Sequence, residues 1–379
     1  MFLPMPIRRR LRPVRALAFV LLLHPAHAEE KVLFLGNSFT FGDGGTTGVP
    51  RIFDRLAVAG GHEDPTTEMR AVGGTSFQFH ENDETSRAAI ASRPWTYVVL
   101  QNYSTEPTHI GNAANHLKYG GLLHERVIAN HPATRVILYQ TWARSAAHPL
   151  ISGKPGEGAF ASTAQMQAEL REGYRKLATL LDTNHAAGAP VLIAPVGDAW
   201  ENAGGLLPES DPGFVSLHGG DHYHGNDNGY FLSAAVFYAT IYGRSPEGLH
   251  AAPEVASLGL RLTVDAALLE RTAWQTVTGA AAVSFTAQPG SRTVMEHQPA
   301  SFAATVRGSA PHVVQWFRNG EAIGGANELT YTIAGAGREL DGSVFTVKVS
   351  NAVSTATSEA AKLSVTADEK EAAPPGGTS

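Results

Sequence analysis

Lys31-Val-Leu-Phe-Leu-Gly-Asn-Ser38-Phe-Thr40 decides how the rest of the chain is read. Val32 to Leu35 form an apolar run closed by Gly36, a pattern that suits a parallel strand covered on both faces. A serine just past the carboxyl end of such a strand sits where open α/β sheets collect their ligands. A lone strand-end serine is more often a helix cap. Chemistry at Ser38 therefore has to be argued from partners elsewhere in the chain.

Working outward, further strands are predicted over Thr67–Val72, Trp95–Gln101, Arg135–Gln140 and Pro190–Pro195. The second ends in Gly73-Gly74-Thr75-Ser76, and the third runs into Gln101, Asn102 and Ser104. Helical patterns separate them at Val49–Ala59, Ala113–Asn130 and Ala161–His185, where Met166, Leu170, Leu177, Leu180 and Leu181 recur at helical spacing. Two more helices are predicted around Phe231–Tyr242 and Leu260–Thr276. Strands alternating with helices predict an α/β domain with a doubly wound, five-stranded parallel sheet, because each parallel crossover needs a covering helix. The glycine-rich turn from Gly42 to Gly48 lacks the Lys-Ser/Thr ending of a phosphate-binding loop.

Beyond Gly279 the texture changes to short alternating segments rich in Val, Thr, Phe and Ser. Phe302 to Val306, Val313 to Phe317 and Phe345 to Val349 read as strands of a small antiparallel β-sandwich. This stretch resembles an immunoglobulin-like domain. The resemblance puts Trp316 at the strand C tryptophan, Ala304 and Val347 where antibody domains carry a disulfide, and Phe345 in place of the corner tyrosine. The expected organisation is residues 1–28 as a signal peptide, 29–279 as the α/β domain, 280–366 as the β-sandwich and 367–379 as a disordered tail. The leader reading rests on a basic cluster from Arg8 to Arg15, an apolar run from Ala16 to Leu23, and Ala26-His27-Ala28 at the cleavage positions. That run is too short to span a bilayer as a stable helix. The mature chain is thus expected outside the cytoplasm, secreted or periplasmic, with no membrane span.

The chain has 379 residues, 43% of them hydrophobic and 17% charged, with a net charge of -6. That balance carries no footprint for nucleic acid or an anionic membrane and points to a small-molecule partner. With no cysteine, thiolate nucleophiles, disulfides and cysteine zinc sites are excluded.

A serine hydroxyl needs a base to take its proton during attack. His218-Gly-Gly-Asp221-His222-Tyr223-His224 lies just ahead of a helical run, with Asp221 and His224 three residues apart. One turn can present the His224 imidazole outward while the Asp221 carboxylate bonds its other nitrogen. Attack on an ester also builds an oxyanion, for which the backbone N–H of Ser38, the backbone N–H of Gly74 and the Asn102 amide are candidate donors. Taken together, Gly36-Asn-Ser38, Ala71-Val-Gly-Gly74, Gln101-Asn102 and Asp221-x-x-His224 resemble the blocks of the SGNH (GDSL-like) hydrolase superfamily. Asn37 stands in place of the usual aspartate, and Leu100-Gln101-Asn102-Tyr103-Ser104 departs from the family's Gly-x-Asn-Asp block. Gln101 therefore remains an alternative to Asn102 as the oxyanion amide.

The resemblance, over roughly residues 31 to 245, implies a flavodoxin-like fold and a serine ester hydrolase without cofactor. It implies Ser38 as nucleophile, His224 as base and Asp221 as orienter. Superfamily members include esterases, lipases and carbohydrate O-deacetylases. A secreted form with an immunoglobulin-like appendage looks most like the last group, its substrate a carbohydrate or other small ester. Gln101, Tyr103 and His222 are expected at the substrate pocket, and the appendage is expected to contact glycan or protein. Two rival expectations come from other classes: a non-catalytic glycan-binding surface protein, and a metal-dependent phosphoesterase built on His218, Asp221, His222 and His224.

Overall fold

The computed structural model describes residues 29–42, 47–152, 160–185, 189–279, 283–309, 312–351 and 355–367. The expected signal peptide, much of the glycine-rich turn and nearly all of the expected tail lie outside the described residues. Among the described residues no helix is long and apolar enough to cross a membrane.

Strands β1 (Lys31–Gly36), β2 (Thr66–Ala71), β3 (Tyr97–Leu100), β4 (Arg135–Tyr139) and β5 (Leu192–Ala194) form one sheet. All its pairings are parallel, in the order β2-β1-β3-β4-β5. The chain leaves β1 toward β2 and then returns to the other side of β1 to form β3. The order therefore reverses beside β1, which is where sheets of this kind open a crevice at their carboxyl ends.

The helices are α1 (Ser38–Phe41), α2 (Val49–Ala59), α3 (Phe77–Asn82), α4 (Glu84–Ala91), α5 (Ala113–Asn130) and α6 (Pro149–Ser152). They continue with α7 (Thr163–Asn184), α8 (Val196–Ala203), α9 (Asp227–Tyr242), α10 (Pro253–Ala256) and α11 (Ala266–Thr278). The uninterrupted apolar run of β1 follows from its having two cores. Val32 and Phe34 pack with Phe53 of α2 and Phe237 of α9 on one face. Leu33 and Leu35 pack with Leu123 of α5 and Leu177 of α7 on the other. Helix α9 is apolar nearly all round and correspondingly buried along its length.

Helix starts differ from the sequence pattern where side chains cap them. Helix α7 begins at Thr163 because the Ser162 side chain accepts from the Gln165 N–H. The last helix begins at Ala266 rather than near Leu260. There Asp265 caps Ala267, while Arg261 and Thr263 give their N–H groups to the side chains of Asp227 and Asn228.

The described residues from Ser284 onward form a separate, mixed β-rich region with its own core. The main sheet runs in the order Glu321–Ala322, Val313–Arg318, Val344–Ser350, Ala361–Thr366, Arg292–Met295. Its last pairing is parallel and the others are antiparallel. Two-stranded pairings join Thr330–Ile333 to Ala300–Ala303, and Ser284–Ala287 to Thr305–Arg307. Trp316 is fully buried and donates from Nε1 to the Glu328 carbonyl at 2.8 Å. Phe302 and Phe345 stack beside it, 4.6 Å between centroids, and Ala304 and Val347 join the same core.

Candidate active site

Gly36 ends β1, and the chain turns at Asn37 into α1, so Ser38 occupies the first helical position. Asn37 rather than Ser38 is the cap: its Oδ1 accepts from the Phe39 N–H at 3.1 Å. Its amide donates to the Thr75 carbonyl at 2.9 Å. The cap frees the Ser38 hydroxyl for other work. Two further side chains hold the turn. The Gln101 Oε1 accepts from the Asn37 N–H at 2.7 Å and from the Thr40 hydroxyl at 3.1 Å. His80, a fully buried residue of α3, donates from Nε2 to the Gly36 carbonyl at 2.9 Å. A Cβ at residue 36 would lie 2.6 Å from Gln101 Oε1, so the glycine is needed for this close approach.

The Asp221 loop lies against this turn. The Asp221 Oδ1 accepts the backbone N–H groups of Tyr223 and His224, at 3.0 and 2.9 Å. This closes the turn and leaves Oδ2 for the imidazole. His224 Nδ1 lies 2.6 Å from Asp221 Oδ2, and His224 Nε2 lies 2.8 Å from Ser38 Oγ. A carboxylate only accepts, so Nδ1 carries the proton and Nε2 presents a lone pair to the serine hydroxyl. Burial pushes the Asp221 carboxyl up, but the hydrogen bonds from the His224 ring and the two backbone N–H groups outweigh it and hold the group below its ordinary range.

Two backbone donors nearby, the N–H groups of Gly74 and Ser38, make no hydrogen bond among the described residues. Gly74 has φ +71°, a conformation that favours glycine, and a Cβ there would meet nothing within 4 Å. The Ser38 N–H is one of the unpaired donors of a helix start. Asn102 is fully buried, and its Oδ1 accepts from the N–H groups of Phe77 and Tyr103, both at 2.8 Å. Its amide therefore faces His116 Nδ1 at 2.9 Å and donates to it, which places the His116 proton on Nε2. One Asn102 amide hydrogen remains. The Gln101 amide donates to the Asn102 carbonyl, and its oxygen is committed to the Asn37 turn.

The other expected residues separate. Tyr103 is half-buried at the end of β3. His222 is half-buried, has φ 60°, and its carbonyl accepts from Ser145. His218 turns inward and donates to the Ala143 carbonyl at 3.0 Å, and burial lowers it to about 4. No group of three or more His, Asp or Glu placed to hold a metal exists among the described residues, so the His218–His224 segment does not converge as a ligand set. Trp142 and Trp200 are fully buried core residues, stacked at 4.1 Å between ring centroids. The pattern reading missed His80, His116 and Arg144, all reached only through long-range contacts. No local pattern in the sequence signalled them.

No family model matches the sequence, and no curated protein is significantly similar to it. Among solved structures, a DUF4886 family protein from Bacteroides uniformis is similar over 66% of this chain and 95% of its own, at 18% identity and a TM-score of 0.49. A chimeric titin Z1Z2 carrying a decorin peptide is similar over 24% of this chain and 99% of its own, at 28% identity and a TM-score of 0.21. The titin M4 structure is similar over 23% of this chain and 98% of its own, at 22% identity and a TM-score of 0.21.

Proposed function

We propose that this protein is a secreted serine ester hydrolase of the SGNH type, with a flavodoxin-like catalytic domain and an immunoglobulin-like appendage, acting on short acyl groups of a carbohydrate. The observation that carries this reading is the chain Asp221–His224–Ser38, joined by contacts of 2.6 and 2.8 Å at the carboxyl end of β1. Ser38 Oγ attacks the acyl carbonyl carbon while His224 Nε2 takes its proton. The oxyanion that forms is met by the N–H groups of Ser38 and Gly74 and by the free hydrogen of the Asn102 amide. As the intermediate collapses, the imidazolium protonates the departing alcohol and an acyl-serine remains. Water, deprotonated by the same imidazole, then releases the acid and restores the serine. Asp221 holds the tautomer throughout and stabilises the transient imidazolium.

The carbohydrate assignment rests on the resemblance of this combination of domains to carbohydrate O-deacetylases and is the part an assay must decide. The purified protein is expected to hydrolyse short-chain nitrophenyl esters and to release acetate from acetylated sugars. Inertness toward every ester tested, with retained glycan binding, would favour the non-catalytic reading instead.

A further inference from the structure

Arg144 stands just beyond β4 with its side chain only 2% exposed. Its Nη2 donates to the Ser104 hydroxyl at 2.8 Å. The guanidinium lies 3.6 Å from the ring centroid of Tyr223 and 5.6 Å from that of Phe39. Nε and Nη1 are buried and make no hydrogen bond among the described residues. Burial lowers the group to about 10, so it remains a cation at neutral pH.

A buried cation with no ion-pair partner among the described residues is an expensive choice for packing, since a leucine or methionine fills space without desolvation cost. What the guanidinium gains is the face of Tyr223 and the field of Asp221. Tyr223 immediately precedes His224, gives its N–H to Asp221, and accepts from Trp142 Nε1 at 3.1 Å. Phe39 immediately follows Ser38 and stacks on Trp142, 4.2 Å between centroids. One cation thus touches both residues flanking the Ser38–His224 hydrogen bond. Direct substrate binding fits less well, because the two uncommitted nitrogens are covered.

We infer that Arg144 is a positioning residue: clamped between Ser104 and the Tyr223 ring, it holds the turn carrying His224 against the turn carrying Ser38 and sets the field in which their proton moves. This rests on the reading of Ser38 and His224 as the reacting pair. The charged and titratable groups around the guanidinium are Asp221, Tyr103, Tyr223, His148 and His218, with His222 beside the last two.

The test is steady-state kinetics on a neutral ester across pH, with Arg144→Met and Arg144→Lys beside wild type and Ser38→Ala. Arg144→Met is expected to lose about tenfold or more in kcat with KM within about twofold, a signature of lost alignment. The acid limb of its activity profile should move to higher pH by about half a unit, because removing a cation eases protonation of the base. Arg144→Lys keeps the charge but not the planar stack, so its acid limb should stay in place while kcat remains reduced. A wild-type profile and kcat in Arg144→Met would overturn the inference. So would an effect confined to KM for anionic esters, which would mark a substrate receptor. Should Arg144→Met fail to fold, Arg144→Lys decides: reduced kcat with an unmoved acid limb supports the clamp, and wild-type kcat overturns it. Activity surviving in Ser38→Ala would instead remove the underlying reading of the site.

Discussion

Asp221 bonds three donors of its own turn with two oxygens: the N–H groups of Tyr223 and His224 with one, the imidazole with the other. Such a carboxylate both builds the turn and fixes the tautomer of His224. Asp221→Asn keeps the shape but offers an amide that can present its NH2 to Nδ1 and so hold the wrong tautomer. The expected outcome is a folded protein whose kcat falls on the order of ten-thousand-fold, as in comparable triads. Its melting temperature, measured alongside, should change far less than its turnover. Full activity in this variant would mean that His224 does not work through its Asp221 bond.

At the scale of elements, buried histidines tie helices to the carboxyl edge of the sheet. His80 of α3 holds Gly36, and His116 of α5 holds Asn102. Burial lowers them to about 4 and about 3, and it lowers His124 and His218 to about 4 as well. Each is neutral in the fold but protonates near its ordinary value, about 6.5, when unfolded. The unfolded state therefore binds more protons between these values, and stability is lost as pH falls from about 6.5 toward 4. His80 alone is worth on the order of 3 kcal/mol across that window. Asp54, pushed up to about 6 by burial, works in the opposite direction and offsets part of the loss. Urea midpoints measured between pH 7 and 4 should fall steadily; a flat profile would contradict neutral burial of these rings.

The same elements show what was legible in the sequence. The strand-end serine and the Asp221-x-x-His224 turn are local patterns, and in the structure they lie within hydrogen-bond distance of each other. The parallel sheet was legible because β1, β3 and β4 are apolar runs, a consequence of burial on both faces, whereas the edge strand β2, Thr-Thr-Glu-Met-Arg-Ala, is polar and half-buried. Helix α11 was misplaced by several residues because Asn228 and Asp227, on another helix, hold the preceding segment extended. Arg144, His80 and His116 were invisible for a similar reason: each acts on a residue far along the chain.

Over the whole molecule, the α/β cores and the β-rich core share no residue. Every proposed catalytic group belongs to the first region, which closes at the Gly279 cap of α11. A chain ending at Gly279 is therefore expected to fold and to keep turnover on small soluble esters within about twofold, since no reacting group is lost. Circular dichroism and kinetics on the shortened protein check this. A folded but inactive product would show that the β-rich region helps build the site.

The most direct test of Ser38 as nucleophile is covalent capture. Treated with a fluorophosphonate and analysed by intact mass and peptide mapping, the wild-type protein should gain one adduct, on Ser38. Ser38→Ala should gain none, and His224→Ala should react far more slowly because the base that activates the hydroxyl is gone. An unmodified Ser38 in a protein that hydrolyses esters, or hydrolysis undiminished in Ser38→Ala, would contradict the mechanism.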